Sequence, residues 1–438
     1  MAPPSDLKGI LKQLGPGLII SANIVGSGEL IVTTKVGADA GFALLWFIIL
    51  GCMIKVFLQV ELGRYTIGTG KSTLEALNSV PGPRLKFSWL VWCWIVMFVA
   101  TFFQLSGMVG GIAGVFRMGG SSFSDTTWAL LITGSCAVFL FIGRYRFIER
   151  FSTTMVAVFT IFTIFAVFSL YWTDYGITFA NLAEGLKFKF PDNFTTAFAA
   201  FGVIGVGAAE LIYYPYWCLE KGYASHVGPN DGTAEWGERA QGWMKVLRWD
   251  AWLSMVIYTS ATVAFYLLGA AVLHGKGLSV TNDDLIPTLS NLYRTSFGSL
   301  GLGIFLVGAT VVLYSTIFIS TASNARLAAD LLKIGKLVKS ETEQQRQNLI
   351  KISCVVLPAL YFIFYVAVGK PLTLVFIGAI AQALMLPLLC FAALYFHFNT
   401  TDKAIKPGSL WMTFLWVAAI LMTSVGIYQL VQQVIKIF

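Results

Sequence analysis

Two acidic side chains stand inside long apolar stretches of this 438-residue sequence, each beside a cluster of small residues. Glu29 ends the run Gly26-Ser27-Gly28-Glu29, and Glu210 follows the glycine-rich run 202–209. A carboxylate near the centre of a bilayer costs about 2.5 to 3.5 kcal/mol even on insertion scales. Two carboxylates that face each other also repel unless a cation lies between them. The pair therefore indicates a cation site.

The small residues beside these carboxylates predict two broken helices. Glycine weakens a helix by about 1 kcal/mol per residue. In lipid, unwound backbone is tolerated only where protein or a water-filled cavity satisfies its polar groups. Interrupted spans at corresponding places in two halves are typical of a transporter's central site. The alternative is that the glycines only allow close helix packing, but the adjoining carboxylates favour the breaks.

The composition predicts an integral membrane protein and excludes a soluble enzyme. Apolar residues make up 57% of the chain and charged residues only 12%, whereas soluble domains hold about a quarter charged residues. A spanning helix needs roughly 20 mostly apolar residues. Eleven stretches qualify: 16–34, 42–62, 88–115, 127–142, 152–172, 196–219, 252–272, 302–325, 352–368, 372–396 and 410–431. The expected fold class is all-α, with eleven transmembrane helices.

The positions of the two glycine clusters predict an internal repeat. Gly28 and Gly207 lie 179 residues apart, and each opens a set of five predicted helices. This spacing indicates an inverted 5+5 repeat with helices 1 and 6 broken. We expect a ten-helix core over residues 1–396, with repeats at about 14–172 and 196–396, and an additional eleventh helix within 397–438.

The basic residues predict the orientation. With a cytoplasmic N-terminus, 21 of the 30 Lys and Arg residues fall inside, eight outside, and Lys55 within a span. By the positive-inside rule, the N-terminus is cytoplasmic and the C-terminus extracellular in the cell membrane. The net charge of +8 is then an orientation signal, so we expect a lipid bilayer and no nucleic acid as partner. The oligomeric state stays open.

Three motifs in the first three spans carry a family resemblance. They are Leu14-Gly15-Pro16-Gly17 and the runs 59–71 and 105–111. With these motifs the sequence resembles the NRAMP family of divalent-metal transporters, and the resemblance extends over essentially the whole chain. It implies the LeuT-type fold, a divalent cation as substrate, and secondary transport by alternating access.

The departures from the family pattern bear on the choice of ion. The family's first break reads Asp-Pro-Gly-Asn, where this chain has Gly26-Ser27-Gly28-Glu29. At the family's Met-Pro-His in the sixth helix, Ala209 and Leu211 replace methionine and histidine; a register shifted by two would place Leu211 and Tyr213 there. Oxygen ligands without a thioether or imidazole suit hard ions, and Mg²⁺ keeps its waters. The sequence thus resembles the NRAMP-related magnesium transporter branch, and this resemblance implies transport of largely hydrated Mg²⁺, with Mn²⁺ second.

The expected ligands come from the two breaks. They are Gly26, Ser27, Gly28, Glu29, Ala209 and Glu210, with Asn23 as a possible addition. Glu29 could instead pair with a buried base, and Glu210 could cap the half-helix after the break. Ser27 would contribute its hydroxyl group and its carbonyl group. Asn23 could simply tie neighbouring helices together.

Two polar residues within other spans have less certain roles. Lys55 could pair with Glu61, neutralise a site carboxylate, or snorkel towards the cytoplasm. Gln382 lies near a place where the family carries a polar ligand, but Ala379 occupies the aligned position. We therefore expect no ligand role for Gln382.

The titratable residues predict transport without obligatory proton coupling. The family's acidic pair in the third helix aligns with Gln104 and Gly107, neither of which titrates. The three histidines, His226, His274 and His397, are predicted to lie in exposed loops, where they could not relay protons to the site.

Two other functions stay open. Amino-acid carriers of the same architecture use glycine-rich breaks whose helix N-termini attract a substrate carboxylate, although the two glutamates would repel it. A transport-inactive sensor or scaffold would keep the helices and signal through cytoplasmic contacts. The sequence shows neither a nucleophile with its base nor a phosphate-binding loop, so we expect no enzyme and no cofactor apart from the transported ion.

Overall fold

The structure is a computed structural model that describes residues 2–4, 6–143, 145–190, 194–338 and 342–437. Within these ranges the chain forms helices and connecting segments and no β-strand. The first half contains α1 (Leu7–Gln13), α2 (Pro16–Ile24), α3 (Thr34–Ala40), α4 (Leu45–Thr69), α5 (Thr73–Ser79), α6 (Trp89–Met118), α7 (Asp125–Phe141), α8 (Tyr145–Ser169) and α9 (Phe179–Gly185).

The second half of the chain is also built from helices and connecting segments. It contains α10 (Thr195–Ala200), α11 (Ala208–Lys221), α12 (Tyr223–Val227), α13 (Ala234–Leu268), α14 (Leu285–Phe297), α15 (Ser299–Ile334), α16 (Glu343–Val368), α17 (Pro371–Asn399) and α18 (Ser409–Ile437). Two π-helices, Ser27–Thr33 and Gly269–His274, adjoin α3 and α13. Single 3₁₀ turns occupy Leu170–Trp172 and Lys403–Ile405.

Seven of the described helices are long and apolar enough to cross a membrane, namely α4, α6, α13, α15, α16, α17 and α18. The bent pair Pro16–Ile24 and Gly28–Ala40, with 42° between its two parts, would make an eighth crossing. The remaining predicted stretches are also helical: Asp125–Phe141 and Val156–Trp172 are shorter apolar helices, and the sixth stretch is divided between α10 and α11. The all-helical membrane fold is confirmed, while the number of eleven crossings stays a prediction.

Two helices extend well beyond the predicted spans. Helix α13 begins at Ala234, 18 residues before the predicted start at Trp252, and α15 continues to Ile334. The first part of α13 is polar, so hydropathy does not find it. It is nevertheless fixed, because Thr233 caps its first turn and Trp236 and Trp243 are buried; side-chain capping of this kind stabilises a helix start.

The last helix is attached to the core through a buried ion pair. Arg64 and Glu61, one turn apart on α4, are both buried and approach to 3.0 Å. The indole nitrogen of Trp411 in α18 donates a hydrogen bond to Glu61 Oε1 at 2.7 Å. This partner set shows that Glu61 is paired with Arg64 and not with Lys55, contrary to one of the alternatives drawn from the sequence.

Candidate metal site

The first break lies between α2 and the π-helix that follows it. Helix α2 ends at Ile24, and Val25 and Gly26 leave the helical path. The unwound carbonyl groups find partners, because Thr316 Oγ1 in α15 donates to the Asn23 carbonyl oxygen at 2.9 Å and the Gly26 amide donates to the Ile24 carbonyl oxygen. The predicted interruption is therefore present, and the backbone around it is largely satisfied, as burial requires.

The second break is longer. Helix α10 ends at Ala200, residues 201–207 form turns, and α11 begins at Ala208. Gly205 has a φ of +62°, in the left-handed region that glycine enters without steric cost. The predicted break in the sixth stretch is thus also present, and its turn depends on a glycine.

The two breaks contact each other. A Cβ atom added at Gly28 would lie only 2.7 Å from the carbonyl oxygen of Val203, so this approach requires a residue without a side chain. Between the breaks, α6, α15 and α17 enclose a small cavity. Its polar lining residues are Asn23, Thr101, Gln104, Glu210, Tyr213, Thr316, Ser320 and Gln382. About 20 Å³ is open to the centres of water-sized spheres, which is room for about one water molecule or a bare ion.

Glu210 and Asn23 form the acidic side of this cavity. Asn23 Nδ2 donates to Glu210 Oε1 at 2.9 Å, and Ser320 Oγ donates to Asn23 Oδ1 at 2.9 Å. Glu210 lies in the first turn of α11, where the partial positive charge of a helix N-terminus favours a carboxylate. Among the described lining residues, Glu210 is the only one with a carboxylate.

Gln382 completes the opposite wall, contrary to the expectation from the family alignment. Its Oε1 atom accepts a hydrogen bond from the Ala209 amide at 2.9 Å, and its Nε2 atom donates to Gln104 Oε1 at 2.7 Å. The aligned residue, Ala379, instead packs its backbone against Gly202. A buried glutamine in an otherwise apolar span was the sequence signal that could have identified this residue.

Glu29 lies on the other side of the first break and does not line the cavity. Its Oε1 atom accepts hydrogen bonds from the Gly205 amide at 3.1 Å and from Thr262 Oγ1 at 2.8 Å. The side chain is fully buried, and Oε2 has no hydrogen-bond partner among the described residues. Its role as a metal ligand stays a prediction that this arrangement does not favour.

Lys55 is buried and contacts the backbone of the second break. Its ammonium group donates to the carbonyl oxygens of Phe201 at 2.5 Å and Ile204 at 2.7 Å. The side chain has no exposed surface, so it does not snorkel. Its positive charge attracts the carboxylates of both Glu29 and Glu210 across this buried region, and its role in neutralising a site carboxylate stays a prediction.

The remaining predicted ligands fall in different places. Gly28 and Ala209 line the cavity, whereas Gly26 is not among its lining residues. The side chain of Ser27 lies outside the described part of the chain. Met108 in α6 was missed: its thioether side chain lines the cavity, and nothing in an apolar helix distinguishes such a methionine from a core residue.

The described residues around the cavity offer mainly oxygen atoms as ligands, together with the thioether of Met108. His397 is buried in α17, close to Glu61, and is not an exposed loop residue as predicted. None of the three histidines lines the cavity. Within the described ranges, no group of three or more His, Cys, Asp or Glu side chains could hold a metal ion. One carboxylate with neutral oxygen donors is suited to a weakly held hard cation.

A larger cavity lies at the far ends of the same two half-helices. It has about 800 Å³ open to water-sized spheres and is lined by Pro16 and Ile19 of α2, Trp217 and Lys221 of α11, and Thr153 of α8. About four residues, or roughly 6 Å of helix, separate it from the central cavity along each half-helix. Both cavities thus lie along α2 and α11.

Asp250 of α13 connects the start of α2 to the middle of α11. Its carboxylate accepts hydrogen bonds from the Gly17 amide at 2.6 Å and from the hydroxyl group of Tyr214 at 3.0 Å. The start of α2 and the middle of α11 are therefore both fixed to α13.

The fold and the site together define a helical membrane protein in which two broken spans enclose a central polar cavity. The chain belongs to the Nramp family: residues 17–432 match the family described as "Natural resistance-associated macrophage protein-like". The family resemblance drawn from the sequence is thereby confirmed.

Several relatives extend this comparison. A divalent metal cation transporter, MntH, of Mycobacterium tuberculosis is 23% identical over 317 residues, or 70% of each chain. The MntH of Caldanaerobacter subterraneus is 30% identical over 129 residues, only 30% of this chain and 29% of that protein. Among solved structures, a manganese transporter of Eremococcus coleocola superposes with a TM-score of 0.71 at 14% identity, covering 96% of this chain and 86% of that one. At this identity the match shows a shared fold.

Proposed function

We propose that this protein is a secondary transporter that carries divalent metal ions by alternating access. The observation that carries the proposal is the small cavity between two broken helices, where Glu210 is joined by neutral oxygen donors. Asn23, Ser320 and Gln382 would contribute side-chain oxygen atoms to the ion, and the carbonyl groups of the breaks would add others. The MntH relatives, which are described as divalent metal cation transporters, support the same substrate class.

Mg²⁺ is the first candidate for the ion and Mn²⁺ the second. Ala209 and Leu211 carry neither sulfur nor nitrogen ligands, so the second break offers mainly hard oxygen donors. The cavity is too small for an ion with a complete water shell, so a largely hydrated ion would need a wider conformation. Met108 is the specific observation that favours Mn²⁺, because its thioether can bind a borderline ion but contributes little to Mg²⁺.

The two cavities along α2 and α11 support a path that opens at one end at a time. Release of the Asp250 contacts to Gly17 and Tyr214 would join the central cavity to the larger one. With the N-terminus in the cytoplasm, the larger cavity opens inward, and the membrane potential contributes roughly 4.6 kcal/mol per 100 mV to the entry of a divalent ion. No histidine reaches the cavity, which supports transport without proton coupling.

An amino-acid substrate is less well supported. Glu210 would repel the carboxylate of an amino acid. A transport-inactive scaffold gives no reason for a buried carboxylate beside two unwound segments.

Uptake into liposomes tests this function. Purified protein should carry Mn²⁺ and Mg²⁺ down an imposed potential, and Glu210→Gln should reduce uptake of both, whereas Glu235→Gln at the exposed start of α13 should not. Uptake of an amino acid, or uptake of neither ion by correctly folded protein, would contradict the proposal.

A further inference from the structure

Lys55 makes contacts of an unusual kind for a lysine within a span. Its ammonium group is fully buried and binds two backbone carbonyl oxygens, those of Phe201 and Ile204, which belong to the unwound segment after α10. It also lies 4.5 Å from the centre of the Phe201 ring, within the range of a cation–π contact. Carbonyl oxygens arranged around a cation are how proteins bind free metal ions, and here the cation is attached to α4.

These contacts connect the lysine to the metal cavity through the backbone. Residues Phe201 and Ile204 lie between α10 and the start of α11, where Glu210 stands. The amide of Gly205, next to Ile204, donates to Glu29. The segment 201–205 is therefore held from two sides. Lys55, a positive group, binds its carbonyl oxygens, and Glu29, an acidic group, binds its Gly205 amide.

We propose that Lys55 is a positioning residue for transport, acting as a tethered cation that fixes the second break so that Glu210 faces the cavity. The lysine would not touch the transported ion. Without its charge, the carbonyl groups of Phe201 and Ile204 would be buried without a partner, which destabilises this backbone conformation. This inference extends the proposed function, because it assigns a role to a residue outside the cavity.

Chemical rescue of a truncated variant distinguishes the effect of the Lys55 charge from the effect of its packing. Lys55→Ala removes three carbon atoms and the ammonium group, a volume that propylammonium matches. We expect Lys55→Ala to lose at least tenfold in Mn²⁺ uptake and to melt at a lower temperature without metal. Propylammonium should raise the Mn²⁺ uptake of Lys55→Ala at least threefold and should also raise its melting temperature. 1-Propanol, which is of similar size but neutral, should do neither.

Three controls complete the experiment. Lys55→Met fills the space without charge, so it should lose uptake and should not respond to propylammonium. Lys35→Ala removes a lysine that pairs with Asp39 at 3.1 Å away from the cavity, so it should transport normally. If neither Lys55 variant folds alone, the yield of monodisperse Lys55→Ala made with propylammonium or with 1-propanol gives the same comparison.

The outcomes distinguish this inference from the proposed function. Lys55→Met with wild-type uptake, or equal recovery of Lys55→Ala by amine and alcohol, would overturn the role of Lys55. Failure of the wild-type protein to carry metal would instead contradict the proposed function, and the melting temperatures would still decide whether Lys55 acts as a tethered cation.

Discussion

The two buried glutamates next to the breaks have opposite surroundings. Glu210 faces a cavity lined by neutral oxygen donors and holds the amide of Asn23. Glu29 faces packed protein, where it accepts hydrogen bonds from Gly205 and Thr262. In sequence the two residues look alike, since each adjoins a glycine cluster in an apolar stretch. The difference favours Glu210 over Glu29 as the carboxylate that would meet an ion in the cavity.

The charges explain why this division is favourable. Two unpaired carboxylates in one buried cavity would repel each other strongly, and the positive charge of Lys55 attracts both Glu29 and Glu210. Within the described lining of the cavity, Glu210 contributes the one carboxylate.

Removal of the Glu210 charge is the change expected to have the largest effect. Glu210→Gln retains the size of the side chain and can still contact Asn23, but it removes the one carboxylate in the lining. Charge-assisted contacts of this kind contribute about 3 kcal/mol, so Mn²⁺ affinity measured by calorimetry should fall roughly a hundredfold. Glu235→Gln is the matched surface control. An affinity within threefold of wild type would remove Glu210 from the site.

The corresponding change at Glu29 should affect stability more than binding. Glu29→Gln can still accept the hydrogen bonds from Gly205 and Thr262, but it loses its attraction to Lys55. We expect a loss of about 1 to 3 kcal/mol in the free energy of unfolding and a Mn²⁺ affinity within about threefold of wild type.

Thermal unfolding and calorimetry on the same Glu29→Gln preparation measure both quantities. Thr262→Val, which removes one of the hydrogen bonds to Glu29, is the control and should lower the melting temperature with unchanged affinity. A loss of affinity at Glu29→Gln as large as that at Glu210→Gln would show that both carboxylates bind the ion.

The lining methionine should have a smaller, ion-specific effect. Met108→Leu keeps the apolar volume and removes the sulfur atom, so Mg²⁺ uptake should be unchanged. Mn²⁺ and especially Cd²⁺ uptake should fall about threefold to tenfold, since a thioether favours softer ions. Competition between Mg²⁺ and Cd²⁺ in liposomes measures the ratio. An equal change for all three ions would indicate a packing effect.

Proton coupling is where the smallest effect is expected. The one carboxylate at the cavity is held by Asn23, and no histidine lines the cavity. An imposed pH gradient without a voltage should therefore leave metal uptake unchanged in liposomes that carry a pH-sensitive dye. Acidification that accompanies metal entry, and that disappears in Glu210→Gln, would contradict uncoupled transport.

Local sequence features predicted the breaks and four of the residues that line the cavity, namely Asn23, Gly28, Ala209 and Glu210. Glycine density beside a carboxylate located both interruptions, because helix propensity is a local property. The direction of Glu29 was not predictable, since the chain after Gly26 resumes as a π-helix and helical spacing no longer assigns a face. Met108, Gln382 and Lys55 reach the breaks from distant helices, so only tertiary packing brings them there.

The position of the bound ion tests the central claim most directly. Crystals soaked in Mn²⁺ give an anomalous peak at the metal. We predict one peak between Asn23, Glu210 and Gln382, with Glu29 still hydrogen-bonded to Gly205 and Thr262. A peak that contacts Glu29, or one that lies away from both breaks, would contradict the assignment of the ion to the Glu210 side.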